Sequence, residues 1–331
     1  MSTTVRSRFT VERKGGTFAI TDNDLAILEL FNVHEYLPST FVCAMAPRLN
    51  PAYVRSRLTI LRHELGLLEV PEASWRAANA RYRPAIYKRP RKGTQALLER
   101  GRHAVDIRHK KEFQHELGVN LIAASFAIGV REHAGLSLIT KDDILDHKAC
   151  PASTRHAPEP FKIAAPFTYK GRGGKQVHVE TAHILHDWHP MGMARTAGDR
   201  TLRLFMPGME FDRRTEAQDP GDHERASITK KLCQMLELFK RYEGIDGYQE
   251  HYGIPNAVIP FWTISEVHMK SMMRRLHEIT NGKGSDRILF GHMSDFSTFE
   301  KLPEATGWAL SYDYKRAGHP DFNFLRELRV Q

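Results

Sequence analysis

Cysteine is scarce: Cys43, Cys150 and Cys233 are the three in 331 residues, with no CxxC or CxxH spacing among them. That excludes a disulfide frame and a cysteine-ligated zinc, and it predicts a reducing, cytoplasmic and nucleoid-associated setting. Long apolar runs are missing as well. None approaches the ~20 residues of a membrane-spanning helix. The opening stretch, MSTTVRSRFTVERKGG, lacks the apolar segment of a secretory signal. There is no GxxxxGK[ST] phosphate loop, no GxSxG elbow and no GxGxxG after a strand; GRGGK at 171–175 reads as a turn. Nucleotide-dependent chemistry therefore has no support. His183, His186 and His189 lie three apart without an acid to complete HExxH. On a strand, His183 and His189 would share one face and His186 would take the other. No resident metal or other cofactor is expected from them. Internal repeats and low-complexity tracts are absent too.

What the chain has is unevenly placed charge. It carries 48 Lys and Arg against 39 Asp and Glu, a net +9. Residues 1–115 hold 20 of the basic and 11 of the acidic side chains, and the remainder holds 28 of each. The whole excess sits in the first third. Such asymmetry is the electrostatic footprint of a polyanion-binding module joined to a neutral one, against the plainer reading of a solvated basic surface.

The pattern of that first third is specific. Residues 1–20 read as a basic arm. TDNDLAILELFNVHEYL has a cap at Thr21 or Asp22 and apolar Leu25, Leu28 and Phe31 at helical spacing. PSTFVCAMAP gives a short second helix. Asn50 as cap with Pro51 behind it opens a third, in which Val54, Leu58, Leu61 and Leu65 form one face and Gly66 stops the run. LLEVP and RPAIYKRP then read as two strands around a basic loop. Three helices and a hairpin over 21–105 predict a winged helix-turn-helix, whose third helix enters the major groove while the hairpin reaches a flanking groove or phosphates. The candidate DNA-contacting residues are Arg48, Tyr53, Arg55, Arg57 and Arg62 on or beside the helix. On and after the wing they are Arg81, Arg83, Lys88, Arg89, Arg91 and Lys92. Winged helices also dock proteins, so an interaction adaptor is the rival reading.

KGTQALLERG reads as a short helix, and the apolar second half of 103–135 as a long one; the domain boundary is placed at 101–112, with that helix in the second domain. Over 106–331, LSLITKDDIL gives a strand and a turn, 149–175 a loop-rich insertion, and 176–194 and 201–213 consecutive strands. A helix over 224–242, a buried strand NAVIPFWTIS, a helix over 266–282 and a last strand DRILFGHMSDF follow. Strands alternating with helices after an antiparallel pair predict an α/β or α+β domain with a mixed sheet.

Candidate chemistry gathers at 183–213. Asp187 lies in HDWHPMG, and Glu210 and Asp212 lie two apart in GMEFDRRTE, which puts them on one strand face. Lys230 and Lys231 follow on the next helix. Converging carboxylates can bind Mg²⁺, and the metal can activate water for phosphodiester cleavage. The plainer alternative is acids at strand ends paired with Arg213 and Arg214.

The run LTILRHELGLLEV, the helix beginning HELGVN and the stretch LRLFMPGMEFDRRTEA resemble the replication-relaxation family of plasmids, phages and integrative elements. The likeness runs from about Ile20 to Phe296, loosely through 136–180, and rests on element order and on E-x-D-R-x-T-E, here Glu210, Asp212, Arg213, Thr215 and Glu216. It implies a winged helix followed by a restriction-endonuclease-like domain. It further implies an accessory DNA-binding role in replication, mobilisation or transcription control, with duplex DNA, a relaxase or a replication or transcription protein as partners and a homodimer as assembly. Active sites of that nuclease-like fold use an Asp and then an acid-x-Lys. This chain has Pro190-Met191 where a Pro-Asp is expected, leaving Asp187 as the substitute. It has Asp212 where the Lys belongs, leaving Lys231 as a migrated one. An inactive scaffold is the expectation; Mg²⁺ enters only if the domain is a nuclease using Asp187, Glu210, Asp212 and Lys231.

Overall fold

A computed structural model describes residues 18–46, 48–75, 83–105, 112–170, 175–214, 227–293, 296 and 301–329. The architecture is mixed α/β, with thirteen α-helices and several small sheets among the described residues. The chain divides into two compact units. One comprises Met1–Ile128 with Thr298–Trp308, the other Gly129–Ser297 with Ala309–Gln331.

In the first unit, helix α1 (Asp22–Glu29) starts on a reciprocal cap: Asp24 N–H donates to Thr21 Oγ1, and Thr21 N–H donates back to the Asp24 carboxylate at 2.8 Å. Strand β1 (Leu37–Pro38) and helix α2 (Ser39–Met45) follow. Helix α3 (Pro51–His63) is capped by Asn50, whose Oδ1 accepts from Ala52 N–H at 2.8 Å. Val54, Leu58 and Leu61 bury its inner face, and Gly66 takes φ +64° beyond its end. Helix α4 (Glu72–Trp75) and strand β2 (Ile86–Tyr87) come next, then α5 (Arg91–Leu98) and the start of α6 (Phe113–Glu132).

The sheet differs from the expected hairpin. The partner of β2 is β1, between the first two helices, with Leu37 opposite Tyr87. Of LLEVP only Glu69 joins, through an isolated antiparallel bridge to Lys88. Two-residue strands fall below the length at which alternation signals a strand. The expected wing turn, with Arg81, lies outside the described residues, as does 1–17 of the basic arm. Helix α6 is largely apolar and buried over Leu117–Ile128, with Asn120 and Ser125 as its polar residues there. The first unit ends inside it, past the expected 101–112, because this stretch belongs to its packing; Ser125 Oγ donates to Thr306 O at 2.8 Å.

The second unit holds β3 (Leu136–Ile139), α7 (Lys141–Asp146), α8 (Ala152–Arg155), β4 (Ile163–Ala164), β5 (Phe167–Lys170), β6 (Gln176–Val179), β7 (His183–Ile184), β8 (Met191–Ala197), β9 (Arg200–Met206) and β10 (Glu210–Asp212). They lead into α9 (Ile228–Phe239), β11 (Arg241–Tyr242), β12 (Ile245–Asp246), α10 (Gly247–Tyr252), β13 (Ile259–Thr263), α11 (Glu266–Ile279) and β14 (Ile288–His292). Helix α12 (Trp308–Ser311), β15 (Tyr314–Arg316), β16 (His319–Phe322) and α13 (Phe324–Glu327) close the series. Strands β3, β8 and β9 form an antiparallel meander; β10, β13 and β14 run parallel, and β15 and β16 close that sheet antiparallel. A parallel bridge from Phe205 to Ala257 links the meander to the chain entering β13. Strand β13 is buried at every residue, as its continuous apolar run requires, and Leu232 and Met235 of α9 and Met269, Met272 and Leu276 of α11 fill the core with it.

Three expectations need correcting. The segment DRILFGHMSDF is not the last strand, since β15 and β16 follow. TKDDIL is a helix, set by a reciprocal Thr140–Asp143 cap. The insertion 149–175 contains α8, β4 and β5; β4 pairs with β7 and β5 with β6. Its periodicity was invisible because these strands are short and β4 finds its partner beyond the intervening hairpin. No helix among the described residues is long and apolar enough to cross a membrane.

Candidate functional site

The second unit concentrates its buried charge around β10. An antiparallel bridge from Trp188 to Met209 lays the irregular stretch 186–188 beside the start of β10. Phe211 N–H donates to Asp187 Oδ2 at 2.9 Å and holds that carboxylate against the strand. Helix α9, opened by Ser227 accepting from Lys230 N–H at 3.1 Å, brings Lys231 in its first turn over the same point. Lys231 Nζ lies 2.8 Å from Glu210 Oε2 and 3.9 Å from Asp187 Oδ2. Three of the four residues expected to carry chemistry therefore meet, and the lysine is the one displaced onto the helix.

Two further side chains complete the cluster. His186 Nδ1 sits 2.6 Å from Glu210 Oε1, and His186 Nε2 sits 3.2 Å from the Tyr248 hydroxyl. Burial pushes the Tyr248 phenol well above 10, and the Glu210 carboxylate adds to the shift. The phenol therefore keeps its proton, and both ring nitrogens of His186 have a partner, Nε2 at the Tyr248 hydroxyl and Nδ1 at the Glu210 carboxylate. Gly208 makes room for the ring: a Cβ there would fall 2.2 Å from it. Side-chain exposure is 0 % for Glu210, 2 % for His186, 5 % for Asp187 and 15 % for Lys231. One Glu210 oxygen meets the imidazole, and the other lies 2.8 Å from the ammonium in an ion pair.

Asp212 goes elsewhere. Its Oδ2 lies 2.5 Å from His268 Nε2 on α11, and its backbone carbonyl accepts from Thr263 Oγ1 at 2.8 Å. The alternation that puts Glu210 and Asp212 on one face did not bring their carboxylates to one centre, because α9 takes up one and α11 the other. His186, Tyr248 and His268 were not among the expected site residues. HDWH did mark the segment; nothing local marked the other two. Among the described residues no group of three His, Cys, Asp or Glu side chains is arranged to hold a metal ion. Asp187 and Glu210 offer the oxygen donors Mg²⁺ prefers, but the position between them is filled by the protein's own ammonium, so the residues as they stand do not fit the ion.

The basic residues of the first unit divide. On and beside α3, Arg48, Tyr53 and Arg55 are exposed. Arg57 instead pairs with fully buried Asp24, Nε 2.8 Å from Oδ1, and Arg62 is buried. Arg83 is buried too. Arg89 donates to Leu28 O at 2.9 Å, to Asn32 Oδ1 at 2.7 Å and to Val105 O at 2.5 Å. Lys88 pairs with Glu69 at 3.0 Å, Lys92 donates to Leu65 O at 2.8 Å with its ammonium near solvent, and Arg91 is exposed. Arg57 and Arg89 each satisfy several backbone, amide or carboxylate acceptors within the fold, and Arg62 and Arg83 are buried, so none of the four presents a free guanidinium on the surface. Compared with family models, curated proteins and solved structures, the chain finds no match.

Proposed function

We propose that the protein is a non-enzymatic DNA-binding factor, an accessory or regulatory component of replication, mobilisation or transcription of a mobile element. Its first unit acts as a winged helix on duplex DNA. The observation that carries this reading is the outer face of α3: Pro51, Ala52, Tyr53, Arg55, Ser56 and Thr59 are all exposed, while the opposite face is core. That face belongs to the third of the chain that holds all of the excess positive charge. A β1–β2 pair with a Glu69–Lys88 bridge behind α3 supports the winged arrangement. The closed, ion-paired cluster at Glu210 supports a nuclease-like scaffold without turnover.

The test is a titration of the full chain against a pool of duplex DNA, with and without Mg²⁺, run on a gel. Retained and uncut DNA with sequence preference is expected. Binding no tighter than about 10⁻⁴ to 10⁻⁶ M at physiological salt is what any basic protein gives and refutes the proposal in favour of an adaptor.

A second reading, a metal-dependent DNA nuclease, is favoured by one observation: Asp187, Glu210 and Lys231 converge within 3.9 Å. It requires Lys231 and His186 to release Glu210 to a metal. It predicts Mg²⁺- or Mn²⁺-dependent fragments that vanish in Glu210→Ala and persist in Asp212→Asn.

A further inference from the structure

Residues 116–331, which include the whole second unit, balance 28 basic against 28 acidic side chains, yet one projection from that unit is basic. Strands β8 and β9 pair through seven positions, from Met191 opposite Met206 to Ala197 opposite Arg200. Gly198 closes them at φ +58° with Asp199 behind it, a two-residue turn with positive φ at the first central position only. This is the type II′ geometry that suits the twist of a hairpin. The third strand of the meander stops early: β3 pairs with β8 only as far as Leu136 opposite Arg195. Beyond that point Thr196 N–H still donates to Gly135 O at 3.1 Å, and only the end of the hairpin is a two-stranded ribbon. Its residues 196–203 are exposed, and Arg195 is half-buried at its base.

Three arginines lie toward this end: Arg200 beside the turn, Arg195 opposite Leu136 of β3, and Arg203 on the outer strand opposite Ala194. The register sets Arg195 and Arg200 on one face, beside Leu202, because Arg195 faces Leu202 and Ala197 faces Arg200. Arg203 lies on the other face with Thr196 and Thr201, whose hydroxyls are 3.3 Å apart. Among the described residues none of the three arginines has an ion-pair partner, and Asp199 is the lone acid of the ribbon. An unpaired guanidinium trio on a short arm is costly in self-repulsion and gains nothing for the fold. Its chemistry suits an external polyanion.

The dimensions suit a duplex. Diagonal neighbours across a strand pair stand ~7–8 Å apart. That is close to twice the 3.4 Å axial charge spacing of one DNA strand, so Arg195 and Arg200 match two phosphates of one strand with one between them. At ~3.4 Å per residue, the two residue pairs beyond β3, Thr196–Thr201 and Ala197–Arg200, project roughly 7 Å before the turn. A major groove is about 8.5 Å deep and admits a two-stranded ribbon. Arginines on both faces match a groove that has a phosphate row along each wall.

We infer that the β8–β9 tip is a second DNA contact, a ribbon that enters a duplex groove and holds phosphates on both walls with Arg195, Arg200 and Arg203. It rests on the reading of the protein as DNA-binding and adds to it a contact in the part of the chain that the charge count leaves neutral. The ribbon is rooted at the acid cluster, since β8 begins just after Asp187–Pro190 and β9 ends just before Glu210.

The experiment compares the full chain, Arg195→Gln/Arg200→Gln/Arg203→Gln, Arg200→Gln/Arg203→Gln and Arg48→Ala/Arg55→Ala. Each is titrated with one duplex across a salt series, with unfolding midpoints as a control. The triple variant is expected to bind about tenfold or more weakly and to flatten the slope of log K against log salt by roughly 2–3. The double hairpin variant, exposed at both positions, should lose about two-thirds of that slope change. A hydroxyl-radical footprint should lose protection on both strands flanking one groove. If the hairpin variants keep wild-type affinity and slope while Arg48→Ala/Arg55→Ala loses both, the ribbon inference is overturned and the winged-helix reading stands. Wild-type protein that shows no DNA binding overturns both.

Discussion

Lys231 and Glu210 form an ion pair of 2.8 Å in which the carboxylate is fully buried and the ammonium almost so. A cation in that position satisfies an acid that the fold has already removed from water. Removing it leaves a buried charge with only His186 to answer it, a change that costs about 3 kcal/mol or more. Lys231→Met should therefore lower the urea midpoint sharply, and adding Glu210→Gln should recover much of the loss. Equal stability of Lys231→Met and wild type would show that the pair is not closed in solution.

Arg55 and Arg57 stand two apart on α3 and should behave oppositely. Arg57→Ala breaks the contact to Asp24 and is expected to cost about 2–3 kcal/mol in urea unfolding. Arg55→Ala should leave the midpoint within ~0.5 kcal/mol and weaken DNA binding.

The same contact sets a pH dependence. Burial alone would raise the Asp24 carboxyl, but hydrogen bonds from Arg57 and Thr21 outweigh it and hold the group below its ordinary 3.8. A depressed carboxyl stabilises the folded state above its unfolded value, and the contribution disappears as pH falls through the folded one. The unfolding midpoint should thus fall between pH 5 and pH 3 by more in wild type than in Asp24→Asn, measured on a variant series in one buffer.

Cys233 is buried, and burial pushes its thiol up to about 11. At pH 8 it is protonated and shielded. Iodoacetamide should label Cys43, which is half-buried, well before Cys233 or the equally buried Cys150, and should reach those two only on unfolding.

The helices were largely legible because their determinants are local. Asn50-Pro51 and the Val54–Leu58–Leu61 spacing define α3, and similar stripes define α9 and α11. Sheet partners were less so. The β1–β2 pair joins positions 37 and 87, and β10 lies parallel to β13, so no neighbouring residue encodes either pairing. At the acid cluster, Asp187, Glu210 and Lys231 could be named from residue type and order. Their caps could not: Tyr248 reaches His186 from α10, and His268 takes Asp212 from α11. The basic face shows the converse failure. Arg57, Arg62 and Arg89 lie off the apolar stripe or outside the helix, and only the fold reveals that they turn inward.

The most direct test of the account is the salt dependence of duplex binding by the full chain beside Arg48→Ala/Arg55→Ala. With the inward arginines removed from the count, the exposed Arg48, Arg55, Arg91 and Lys92 predict a slope near −4 from this unit, at about −0.9 per phosphate contact. The double variant should bind more weakly at every salt concentration and flatten the slope by about 2. Identical titrations for the two proteins would contradict the claim that α3 presents its outer face to DNA.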